Sequence, residues 1–91
     1  MEKYPQLCEA IANILRERRE ALGLSKRKLA ELAWVERTYI IQLEQGTKQP
    51  TLNALFYISE ALGLQPSELV RLVEEEIAKL AKSAGENNRQ F

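Results

Sequence analysis

"SKRKLAELAWVERTYIIQLEQG", residues 25–46, is the stretch whose reading decides the fold. Ser25 is a favoured N-cap, and after it Leu29, Leu32 and Ala33 recur at helical spacing. The spacing predicts a helix over Lys26–Ala33 with those three residues facing inward. Only Trp34 and Val35 separate it from a second amphipathic run, about 36–45, which buries Ile40 and Leu43 and stops at Gly46. Two helices this short, joined by so short a link, make a tight helical corner.

Working outward, Leu7, Ile11, Ile14, Leu15, Arg18 and Leu22 recur every three or four residues, so 5–22 reads as a first helix with Pro5 in its opening turn. The five residues Glu20-Ala21-Leu22-Gly23-Leu24 stop it, with Gly23 at the left-handed cap. The same five letters return at 60–64, without matching flanks, as one stop signal used twice. After a loop over 47–50, Thr51 caps a fourth helix reaching Leu62, with Leu52, Leu55, Ile58 and Leu62 in register. Pro66 and Ser67 open a fifth, which runs through Leu69, Val73, Ile77 and Leu80 to about Lys82. No segment alternates like a strand. The expected architecture is all-α, five helices in one domain over 1–82, with a disordered tail over 83–91 where no apolar pattern remains.

Composition narrows the function. The chain has 91 residues, enough for one core, and its few aromatics leave that core to Leu, Ile, Val and Ala. A single cysteine, Cys8, permits no internal disulfide, and the lack of histidine removes the usual zinc ligands, so neither metal nor cofactor is expected. Ser25 and Ser67 read as helix caps and Cys8 as a small buried hydrophobe, which leaves no catalytic constellation and argues against an enzyme. No apolar run is long enough to span a bilayer and the start lacks a signal-peptide pattern, so a cytoplasmic protein that does not enter the membrane is expected. Net charge is zero, yet its distribution is uneven. Residues 16–48 carry eight cations against five acids, while 49–91 carry four against six.

The basic middle coincides with the helical corner. A helix-turn-helix lets one helix rest on phosphates while the next enters the major groove, although small bundles also contain such corners. Lys26, Arg27 and Lys28 crowd the first turn of the second helix, where the positive end of the macrodipole disfavours cations. They form either a solvated cationic face or, with the free backbone N–H groups there, an anchor for a DNA phosphate. On the third helix, Ile40 and Leu43 fix the buried side and leave Arg37, Thr38, Ile41, Gln42 and Gln45 on other faces. Arg and Gln suit bidentate bonding at guanine and adenine edges, but they are also ordinary surface residues of helices.

Arg19, then "ALGLSKRKLAELA", "VERTYIIQLEQG" and "QPTLNALFYISEALGLQPSEL", in that order, resemble the Cro/repressor-type (XRE) helix-turn-helix family, with its lambda-repressor-like fold. The likeness covers about 14–69 and includes phage repressors, restriction-modification controller proteins and antitoxins among its members. It implies binding of double-stranded operator DNA, usually as a symmetric homodimer. Carried onto this chain, the resemblance gives Lys26, with Arg27 beside it, a phosphate contact. Glu36, Arg37, Thr38 and Gln42 fall on base-facing or adjoining positions, and Gln45 and Lys48 on the backbone-contacting stretch. Arg19 and Glu44 match a salt bridge between helices one and three.

The chain also departs from that family. Gly usually stands at the position of Trp34, because the turn takes positive φ there, so either the indole packs to hold the turn or the geometry changes. Ile41 stands where Ser is common. Phe56 and Tyr57 exceed what a single core-facing stripe needs, and with Leu72, Val73 and Leu80 they are the expected dimer surface. The alternative for the fifth helix is to pack back on helix one of the same chain. An antitoxin-type module that neutralises a partner protein, of identity unknown, is the other functional reading.

Overall fold

A computed structural model describes residues 4–83. These form five helices: α1 Leu7–Ala21, α2 Lys26–Ala33, α3 Arg37–Gln45, α4 Leu52–Ala61 and α5 Pro66–Ser83. Among the described residues the fold is all-α. The expected tail lies outside them except for Ser83, which closes α5.

Local chemistry explains the starts. Pro5 belongs to a turn before α1, where the Leu7 N–H donates to the Tyr4 carbonyl at 3.0 Å. Ser25 Oγ accepts from the Lys28 N–H at 2.9 Å, and Thr51 Oγ1 from the Ala54 N–H at 3.0 Å, each satisfying a donor that a helix start leaves unpaired. At α5, Pro66 takes the first position and the Glu68 carboxylate reaches back to accept from the Gln65 N–H at 2.8 Å.

The stops are four copies of one device. After α1, α2, α3 and α4 the chain turns through a left-handed residue whose N–H, with the next one, closes back on the last carbonyls of the helix. Gly23 and Leu24 do this on Glu20 and Arg19, and Gly63 and Leu64 on Glu60 and Ser59, so the repeated five residues are indeed one stop signal used twice. Gly46 and Thr47 close α3 in the same way. At the end of α2 the left-handed residue is Trp34, at φ 60° and ψ 38°, with its N–H on Glu31 and that of Val35 on Ala30. The geometry expected of a glycine is therefore kept. A left-handed conformation costs a residue with a Cβ about 1–2 kcal/mol, and the indole, 83% exposed, recovers none of it by packing.

Leu15, Leu29, Ile40, Leu43, Ile58 and Leu69 are almost wholly buried and form one core with Ile11, Ile14, Leu62 and Val73. Full burial of each large aliphatic side chain contributes about 1.5–3 kcal/mol. α1 packs against α3 and α5, α2 against α3 and α4, and α4 against α5. Three positions of the apolar stripes are exposed; Leu22, the last of the α1 series, is the C-cap of that helix and lies beyond the stretch that packs on the core. Leu32 is exposed because Ala30, two positions earlier, supplies the buried contact, and Leu52 is exposed because the first turn of α4 lies outside the core that begins at Ala54.

α5 returns along α1, the alternative to an interface between copies. Val73 is a core residue at 7% exposure, and Leu72 and Leu80 pack partly against the same core. Val73 is therefore removed from the expected dimer surface, and Leu72 and Leu80 are in large part spent within the chain. Cys8 is half-buried on α1 rather than enclosed.

Candidate nucleic-acid interface

α3 is held on three counts. Ile40 and Leu43 are fully buried beneath it. Glu44, also buried, receives Arg19 of α1 side-on, with Nε on Oε2 at 2.7 Å and Nη2 on Oε1 at 3.0 Å. Arg16, one turn earlier on α1, donates from Nη2 to the Glu44 carbonyl at 2.9 Å and so caps the end of α3. Arg19 spends a further donor, Nη1, on the Leu24 carbonyl at 2.8 Å, tying the α1 stop into the same network. The hydrogen bond to Glu44 holds the Arg19 pKa above its ordinary value, while burial pulls the other way and the charges of Glu44 and Glu20 add to the rise. The guanidinium stays charged, and a two-point bond between planar groups fixes the roll of α3 as well as its position.

What this seat leaves outward is the polar face of α3. Glu36 is the N-cap of α3, and with Arg37 and Thr38 at its first positions it is exposed, directly after the turn. Gln42 is half-buried one turn further along, and Gln45 is exposed at the end. Ile41 is half-buried, which limits the apolar surface it presents.

Two further groups of candidates flank α3. Lys26 and Arg27 are exposed at the start of α2, and since the Ser25 hydroxyl takes only the Lys28 N–H, their own backbone amides have no acceptor among the described residues. Lys28 instead lies 3.8 Å from Glu31 on the same helix. Beyond α3, Lys48 is exposed with its Nζ 5.7 Å above the Tyr39 ring. The Tyr39 hydroxyl accepts from the Thr51 N–H at 3.2 Å, which ties the loop over 47–50 to both α3 and the cap of α4.

Arg16 and Tyr39 were not singled out from the sequence. Arg16 had a usable signal, since it stands three residues before Arg19 and thus on the same face of α1. Tyr39 had none, because its partner is a backbone amide twelve residues away.

Phe56, at 53%, and Tyr57, at 43%, remain exposed on α4. With Asn53, Glu60, Leu64 and Pro66 they line an open groove between α4 and the start of α5. Of the expected dimer surface, this is the part that the described residues leave uncovered.

A corner of two short helices, with the second locked to α1 and its polar face free, defines a helix-turn-helix protein. The helix-turn-helix family model matches residues 15–69, and the chain belongs to that family. It is 39% identical over 66 residues to an uncharacterized HTH-type transcriptional regulator of Methanothermobacter thermautotrophicus, covering 72% of this chain and 96% of that one. Among solved structures, the clp gene regulator ClgR from Corynebacterium glutamicum superposes with a TM-score of 0.81 at 30% identity, over 89% of this chain and 86% of that one. The restriction-modification controller protein C.AhdI from Aeromonas hydrophila does so with a TM-score of 0.67 at 35% identity, over 72% and 98%.

Proposed function

We propose that this chain is a sequence-specific transcriptional regulator, working in the cytoplasm without an enzymatic step, whose α3 enters the major groove of operator DNA. The observation that carries the reading is the seat of α3: buried Ile40, Leu43 and Glu44 on one side, with Glu36, Arg37, Thr38 and Gln42 on the other. Arg37 and Gln42 have the bidentate groups that distinguish base edges, and Thr38 offers a hydroxyl or a methyl. Lys26, Arg27 and the free amides of α2, together with Gln45 and Lys48 beyond α3, hold phosphates and set the register.

The active form is a homodimer about a two-fold axis, which sets two α3 helices about one DNA turn apart, ~34 Å. Its surface is the α4 face with Phe56 and Tyr57, supported by its exposed apolar area. Residues 1–82 act as one domain.

Selection of bound duplexes from a random library, followed by titration of two variants, tests the assignment. Arg37→Ala weakens the selected site by about 1–3 kcal/mol and relaxes preference at one position, whereas Lys26→Ala weakens all duplexes alike and lowers the salt slope by about one. No enrichment of any sequence, or two variants that bind like the parent, would refute it.

A further inference from the structure

Among the described residues, Trp34 is the one large side chain that the fold places in solvent at a conformational cost. Three of the four helix stops use glycine for the same left-handed turn, and this one uses an indole that is 83% exposed. It neither holds the turn by packing nor fills the core, so nothing among the described residues accounts for it. Its position is specific: the turn leads through Val35 to Glu36 and Arg37, the end of α3 assigned to the bases. The surroundings also restrict the contact. Exposed carboxylates at Glu31 and Glu36 flank the turn in sequence, and the C-terminal end of α2 carries negative partial charge, all of which repel phosphate. An apolar group framed in that way suits the less charged parts of a duplex, the deoxyribose faces and the thymine 5-methyl groups, the latter being apolar marks that the major groove presents.

We propose that the Trp34 indole packs against the operator duplex beside the α3 N-terminus, reading a thymine methyl at one position of each half-site. This rests on α3 being the base-reading helix. The indole would thus be a specificity-determining group, and the strained turn would be retained for it.

Trp34 is the chain's only tryptophan, so its emission reports on this one position in the unmodified protein. The full chain is titrated with the selected duplex, carrying a fluorophore excited away from indole, while anisotropy of the label and emission of Trp34 are followed together. Emission is expected to shift to the blue and quench in step with binding. Trp34→Gly is expected to raise Tm and yet weaken the selected duplex by roughly tenfold, with little change for random duplex. Changing each thymine of the half-site to deoxyuridine removes one methyl at a time. One position is expected to weaken the parent and to have no effect on Trp34→Gly.

Binding seen by the label with silent emission, and a Trp34→Gly protein of parental affinity, would overturn the inference alone and free the indole for a protein partner. No binding of any duplex by the label would overturn the base-reading assignment and this inference with it.

Discussion

Trp34 and the Arg19–Glu44 pair are single positions that the chain resolves in opposite ways. At Trp34 strain is accepted without compensation inside the fold, so its removal stabilises. Trp34→Gly loses a left-handed penalty of about 1–2 kcal/mol and takes on a glycine entropy cost of about 0.5–1. A net gain near 0.5–1 kcal/mol corresponds to a rise in Tm of about 2–8 °C for a domain this size, readable by calorimetry. Arg19 and Glu44 are buried charges matched donor to acceptor. Removal of one partner leaves the other desolvated and unpaired, so Arg19→Met or Glu44→Leu alone costs about 3–5 kcal/mol. The double variant, with two apolar groups in contact, is expected to recover most of that loss in denaturant titrations. A double variant no better than the worse single one would show that Arg16 and Leu24, not the pair, carry the stability. The sequence disclosed these positions unequally. Both charges were legible through the resemblance, but whether the Trp34 turn would keep positive φ was open, because spacing is silent on which residue tolerates strain.

At the scale of helices, legibility followed the strength of the local signal. Ser25, Thr51 and Pro66 marked starts through chemistry confined to a few residues, and Gly23, Gly46 and Gly63 marked stops. Faces were harder, since periodicity gives the angle of an apolar stripe but not its limits. In α2 the periodic stripe includes Leu32, while the buried position is Ala30, two residues earlier, because Leu is the more apolar and Ala the better fit where helices approach closely. The α4 stripe read from periodicity begins at Leu52, two residues before the first buried position, Ala54. The caps make a direct prediction. Ser25→Ala and Thr51→Ala should each cost about 0.5–2 kcal/mol. Thr51→Ala should expose the Ala54 N–H, from which the Thr51 hydroxyl accepts, while the backbone N–H of residue 51 and its tie to Tyr39 remain; Ser25→Ala should expose the Lys28 N–H in the same way. Amide hydrogen exchange at Lys28 and Ala54 separates the two, and equal protection of Ala54 in parent and Thr51→Ala would contradict the cap.

Across the whole molecule, the question is how one apolar inventory is divided between folding and association. Sequence alone grouped Val73 with Phe56 and Tyr57, because hydrophobicity does not say which neighbour a side chain will meet. Only the return of α5 along α1 separates them. The two groups should then answer to different measurements. Val73→Ala removes methyls from a packed core, with a cost on the order of 2 kcal/mol in unfolding and no change in the mass found by ultracentrifugation. Phe56→Asp places a charge on a face that is exposed in the single chain, so at concentrations low enough to dissociate the parent the two should melt within about 0.5 kcal/mol of each other. Two such charges facing each other across a two-fold axis oppose association, and since both copies carry the change the effect is doubled. At tens of micromolar the parent is expected to sediment as a dimer and Phe56→Asp as a monomer. The variant should still bind a single half-site but lose the tighter binding that two linked α3 helices give to a full site. A Phe56→Asp protein that remains dimeric would move the interface off this face of α4 altogether.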